Sequence, residues 1–189
     1  MKKLIPLLLA LLLLSGCTIQ PSIAPAKLTK DEQALLRMFD SSYPQQVFDF
    51  VAPEGAVGLI IRRQSLEDGQ WVTASHYLQL NGQTGRFAIS FDDLADGLRC
   101  AILQNGEVES VSATRDAELD TTGMITATTA LSTPVHAALH AEIPLLMQLF
   151  SHEMPLPSAS LNDYPGIVAF SEYDYVYIVT ATFTDKPLE

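Results

Sequence analysis

The chain has 189 residues, of which 48% are apolar, and it carries 22 acidic against 11 basic side chains, a net charge of −11. So acidic a surface repels a phosphate backbone and an anionic bilayer, which excludes nucleic acid as a partner. The length suits one domain with a sizeable core, and the sequence holds no internal repeat.

Lys2 and Lys3 precede an eleven-residue apolar run, 4–14, broken only by Pro6. The run is shorter than the roughly 20 residues of a membrane-spanning helix and has the length of the apolar part of an export signal. It leads into Leu14-Ser15-Gly16-Cys17, an aliphatic residue, two small residues and a cysteine. This tetrapeptide, at this distance from the start, resembles the lipobox of bacterial lipoprotein precursors. The resemblance covers residues 1–17. It implies cleavage of the signal peptide 1–16, diacylglycerol on the Cys17 thiol, and a second acylation on the new amine. It also implies a domain held outside the cytoplasm, at the cell surface or in the periplasm. Two acyl groups anchor stably where one binds marginally, at about 0.8 kcal/mol per buried methylene. Cleavage removes Lys2 and Lys3 and leaves nine basic side chains against twenty-two acidic ones, a net charge of −13. With Cys17 acylated, Cys100 has no disulfide partner.

Residues 17–28 are read as the lipidated cysteine and its tether. Pro21 and Pro25 block helix within 18–26, and an extended tether would hold the domain about 25–30 Å from the lipid at ~3.1 Å per residue. Residues 29–189 are read as a single β-rich domain. Thr29-Lys30-Asp31-Glu32 fits a capping box, and Leu35, Leu36, Met38 and Phe39 give a helical apolar stripe to about Asp40. From Val47 the period changes to two. Runs 57–66 and 71–80 flank Glu67-Asp68-Gly69-Gln70, and runs 98–104 and 108–114 flank Asn105-Gly106; both are hairpin patterns. Residues 86–91, 124–130 and 175–183 are further strand candidates, the last dense in β-branched and aromatic residues. Thr133-Pro134 predicts a short helix from 134 to about 141. Pro144 would cost a longer helix about 3 kcal/mol, so 145–150 is read as a buried strand. Together these predict a mostly β fold, an antiparallel sandwich or partly open barrel with an N-terminal helix and one short inserted helix.

Four groups of residues bear on chemistry. Asp92, Asp93 and Asp96 lie close enough to hold calcium, but their spacing suits a tight helical turn capped by Asp92 or Asp93 and left through Gly97. His136 and His140 would share a helix face at i and i+4, with His76 or His152 as a remote third ligand; a solvated face is the simpler reading, and no metal or cofactor is assigned. Cys100 alternates with Leu98 and Ile102, a phase that buries it as an inert thiol. Tyr173, Tyr175 and Tyr177 alternate with each other and continue into Val179 and Phe183, which points that face into the core. Asp174, Thr180 and Thr182 then suit solvent.

No nucleophile elbow or carboxylate frame is visible, and the chain is therefore read as a non-catalytic module that binds a glycan, a peptide or an envelope protein. An extracellular polymer hydrolase and a structural subunit of an envelope complex are the alternatives. Trp71 and Tyr173, near strand ends, are the candidate ligand contacts, and Cys17 is the lipid site, with the membrane as its partner. Replacing Cys17 with serine is expected to abolish lipid labelling and leave an uncleaved precursor; normal processing of that variant into a membrane-bound protein would contradict the lipobox reading.

Overall fold

The computed structural model describes residues 20–39, 45–91, 93–114, 121–153 and 159–187; the leader, Cys17 and Asp92 lie outside them. Among the described residues there are eleven strands and one α-helix. In chain order they are β1 (Ser22–Pro25), α1 (Lys30–Phe39), β2 (Gln45–Val51), β3 (Gly58–Glu67), β4 (Gln70–Gln79), β5 (Thr84–Ser90), β6 (Gly97–Gln104), β7 (Glu107–Thr114), β8 (Ile125–Ala130), β9 (Val135–His136), β10 (Glu142–Ser151) and β11 (Tyr175–Thr184). They make two antiparallel sheets packed as a sandwich with open edges: six strands in the order β7-β6-β5-β2-β1-β9, and five in the order β4-β3-β11-β10-β8.

Local chemistry accounts for several elements. The Thr29 N–H donates to Glu32 Oε2 at 2.7 Å and the Glu32 N–H to Thr29 Oγ1 at 3.2 Å, so the capping box forms and α1 starts where it should. Arg86 on β5 then donates to both Glu32 and Asp49 at 2.7 Å, which fastens the helix to the six-stranded sheet. The β3–β4 hairpin turns on Asp68-Gly69 (φ +48° and +74°), and the β6–β7 hairpin on Asn105-Gly106 (φ +52° and +83°). Both central residues are left-handed in each, the turn whose twist matches that of the strands it joins.

The core lies between the sheets. Phe48 and Phe87 stack at 5.2 Å within the six-stranded sheet, and Phe50 reaches across to Phe183 at 5.8 Å. Leu98, Cys100 and Ile102 of β6 join them, as do Tyr177, Val179, Ala181 and Phe183 of β11. The opposite face of β11 is also covered over much of its length. Val176 and Ile178 pack with Met147, Leu149, Leu161, Phe170 and Tyr173 in a second apolar cluster beneath the segment 159–174. Thr180 and Thr182, assigned to solvent by alternation, are buried as well.

Two expectations are corrected and a third is extended. The segment read as tether contributes β1, paired on one side with β2 and on the other with β9. Ile23 is wholly buried, and the two prolines bracket it, one before the strand and one at its last residue, where neither interrupts the ladder. The inserted helix at 134–141 is absent. Val135–His136 pairs with β1 instead, the Ala137 N–H donates to the Pro21 carbonyl at 3.0 Å, and sheet pairing overrides a local helix start. Residues 145–150 do form a strand, but it runs from Glu142 through Pro144, at a register shift between Pro144 and Leu146 that accommodates the proline.

If β1 is an integral strand, Ile23→Ala is expected to lower the unfolding free energy by about 2–5 kcal/mol. Urea denaturation measures this, and a loss near zero would show that β1 is a detachable tether.

Candidate functional site

Polar and aromatic side chains gather in two places, one at an end of the sandwich and one on the outer face of the five-stranded sheet. The first begins with the connection between β5 and β6, a single 3-10 turn, Leu94–Asp96. Asp93 occupies its N-cap position, but its side chain makes no capping bond. Gln148, on the inward face of β10 and only 2% exposed, takes over. Its Oε1 accepts from the Leu94 N–H at 2.6 Å and its Nε2 donates to Asp93 Oδ1 at 2.9 Å. Arg63, 8% exposed on the inward face of β3, donates through Nη1 to the Leu94 and Ala95 carbonyls at 2.9 and 3.2 Å. Its guanidinium also lies 5.9 Å from the Tyr177 ring centroid. Burial raises the Asp93 carboxyl, opposed by the Gln148 hydrogen bond and aided by nearby Asp96. Gly97 leaves the turn at φ +109°, as the sequence suggested.

Arg62 and Arg63 face opposite ways, as neighbours on a strand must: Arg62 Nη1 donates to Thr182 Oγ1 at 2.6 Å on the outer face. Beside the tied turn opens a cleft of about 670 Å³. Arg63, Ser65 and Glu67 of β3 line it, with Tyr175 and Tyr177 of β11, Val72 and Ala74 of β4, and Ala95 of the turn. Val72 is 49% exposed, a large apolar side chain at the cleft mouth. Burial raises the Tyr177 hydroxyl, and nearby Arg63 opposes the shift.

The second place is a shallower groove of about 340 Å³ on the outer face, lined by Arg62, Gln64, His140, Glu142 and three threonines. Glu142 is its hub. Thr180 and Gln64 donate to Oε1 at 2.6 and 2.8 Å, and the Tyr164 hydroxyl donates to Oε2 at 2.8 Å. Gln64 Nε2 donates to the Tyr164 oxygen at 2.7 Å. Burial first, then the bond to Glu142, pushes the Tyr164 hydroxyl up to about 12. Each carboxylate oxygen already holds a protein donor, so this network fastens the segment 159–174 to the sheet.

Trp71 serves the same fastening. Its Nε1–H donates to the Pro165 carbonyl at 3.0 Å, and its ring meets Tyr164 and Phe170 edge-on at 5.3 and 5.8 Å. Tyr173 is 9% exposed in the cluster that Trp71 borders. Because β11 begins only at Tyr175, alternation does not reach Tyr173, which sits apart from Tyr175 and Tyr177. Asp174 accepts the His152 N–H at 2.8 Å and contacts the ring at 3.2 Å; the backbone bond leads in holding its carboxyl low.

The histidines are scattered. His136 is exposed on β9, His140 (φ +62°) pairs with Asp185 at 3.1 Å, and His76 lies on β4, its ring held low by burial and by Arg63. The helix face on which His136 and His140 were to meet does not form. Among the described residues no group of three or more His, Cys, Asp or Glu is placed to hold a metal ion. Cys17 lies outside the described residues, and Cys100 is 1% exposed. Sequence reasoning missed Arg63, Gln148, Glu142 and Tyr164. For two of them a signal existed: Arg63 stands in phase with Leu59 and Ile61, and Gln148 interrupts the apolar run 145–150, both charged or polar groups at core positions.

Compared with family models, with curated proteins and with solved structures, the chain gave no match. The functional reading therefore rests on its own geometry.

Burial moves the Cys100 thiol from the ordinary 9.0 to about 12, and Tyr164 from 10.0 to about 12. Both groups stay protonated in the fold at a pH where the unfolded chain has released the proton. Their contribution to stability is complete below about pH 9 and is lost as pH rises toward 12. Denaturation curves taken across that window are expected to show the loss, and Cys100→Ala to flatten its first part; an unchanged slope in the variant would contradict the burial of the thiol.

Proposed function

We propose that this chain is a lipid-anchored extracytoplasmic lipoprotein whose sandwich binds an envelope or extracellular ligand and performs no chemistry on it. The observation that carries the reading is the position of the cleft relative to the start of β1. Ser22 pairs with Val51 at the end of β2, and Val51 with Thr84 at the start of β5. The β3–β4 hairpin, the Leu94–Asp96 turn and the start of β11 lie at the other end, where the cleft opens. Ser22 follows Cys17 by five residue steps, at most about 17 Å of extended chain at ~3.3 Å per residue. A lipid on Cys17 therefore brings the end of the sandwich at Ser22 closer to the bilayer than a free tether over 18–26 would, and turns the cleft away from it.

Other features support binding. The cleft has the volume of a small-ligand or side-chain site, which typically spans ~300–1,000 Å³. It combines aromatic faces, an exposed valine and a few polar groups. Of the three carboxylates that line it, Glu67 accepts from the Ser65 hydroxyl at 2.6 Å and Asp174 pairs with His152. The acidic chain favours a neutral or cationic ligand over a polyanion.

A glycan and peptide array beside a panel of hydrolase substrates tests the reading. Binding is expected to be lost in Val72→Arg, which fills the cleft mouth, with no turnover in any arm. Turnover of a polymer, abolished by replacing one carboxylate while the fold persists, would overturn it.

A further inference from the structure

We propose that the cleft receives an extended polypeptide segment bearing lysine or arginine, and that this segment adds to β4 as the next strand of the five-stranded sheet. The inference rests on the reading of the cleft as a binding site and names its ligand.

Among the described residues β4 is an edge strand, paired with β3 alone, and it runs for ten residues in unbroken register from Gln70 to Gln79. Natural sheets protect such edges with lysine, proline, bulges or brevity. β4 has none of these: its sequence, QWVTASHYLQ, lacks Lys, Arg, Asp, Glu and Pro. Val72, Thr73 and Ala74 line the cleft and belong to this same edge. A chain lying in the cleft is thus beside backbone groups that β3 does not use. Strand addition supplies main-chain hydrogen bonds for affinity, and the cleft supplies a place for alternate side chains.

Charge selects the partner. Glu67, Asp68 and Asp174 border the cleft against one guanidinium, Arg63, which is already committed to the Leu94 and Ala95 carbonyls. β7, the edge of the other sheet that approaches β4, carries Glu107 and Glu109 farther along, at the opposite end of β4 from the cleft, with Glu109 near Tyr77. A second copy of the chain pairing through β4 would bring two sets of these acids together, which disfavours self-association. A basic segment meets them with opposite charge.

The test uses the full chain in neutral detergent and four probes: a ten-residue peptide of alternating lysine and valine, the same peptide N-methylated at alternate backbone amides, a glutamate–valine counterpart, and a set of neutral oligosaccharides. The lysine peptide is expected to bind and to slow hydrogen exchange at β4 amides. N-methylation removes donors and is expected to weaken binding by about tenfold. The double variant Glu67→Gln, Asp68→Asn is expected to weaken it by a similar, salt-dependent factor of about ten; both sites are exposed, and asparagine tolerates the left-handed φ. Equal binding of the glutamate peptide, equal binding of the methylated peptide, or unchanged exchange in β4 would overturn the inference. So would protection of the β4 amides by self-association of the free chain. An oligosaccharide that binds and is lost in Val72→Arg, with no peptide bound, would overturn the peptide and leave the cleft reading intact. No binding to any probe would count against both.

Discussion

Arg63 and Gln148 are polar groups buried on the inward faces of two strands of one sheet, and both hydrogen-bond to a single turn of the other sheet. Apolar contacts alone tolerate sliding, since one leucine or phenylalanine surface substitutes for another. A buried amide or guanidinium does not, because leaving it unpaired costs about 1–3 kcal/mol, and more when it is charged. The two side chains therefore set where the six-stranded sheet sits on the five-stranded one. They also place Ala95 against the cleft and hold Arg63 over Tyr177.

From this tie the two ends of the sandwich acquire different characters. At the end where β1 begins, the connections are closed by neutral amides: Gln104 bonds Asn81 and Gly82, and Asn105 bonds the Asn81 carbonyl. At the other end the β3–β4 hairpin carries Glu67 and Asp68, the turn carries Asp93 and Asp96, and β11 opens from Asp174. The outer face of the five-stranded sheet is sealed separately, by the segment 159–174 with its Trp71 and Tyr164 contacts. The cleft opens at the inward-facing mouth between β3, β4, β11 and the turn.

Features governed by neighbours in sequence were legible without a structure. Asp68-Gly69 and Asn105-Gly106 need only their own left-handed φ values, Thr29 and Glu32 cap across three residues, and Cys100 follows the phase of Leu98 and Ile102. Features governed by distant partners were not. Ser22–Pro25 is a strand only because β2 and β9 flank it. Val135–His136 is too short to have a period, and its helix-like Thr133-Pro134 start loses to pairing with β1. Trp71 and Tyr173 stand near strand ends in sequence, and nothing there reveals that Trp71 bonds the Pro165 carbonyl or that Tyr173 packs with Met147 and Leu149 of β10. The cleft was half legible: the phase of Tyr175 and Tyr177 was right, whereas the tie behind it lay in Arg63 and Gln148, two polar residues among apolar ones whose partners come from another sheet.

The most direct test of this account is amide hydrogen exchange in Gln148→Met, a change that keeps the side chain's length and apolar bulk while removing its hydrogen bonds. The Leu94 amide, bonded to Gln148 in the native chain, is expected to exchange at least about tenfold faster, while amides of the β3–β11 ladder keep their protection. A Leu94 amide as protected as before, or a uniform loss across both sheets, would contradict the claim that this tie locally shapes the open end of the sandwich.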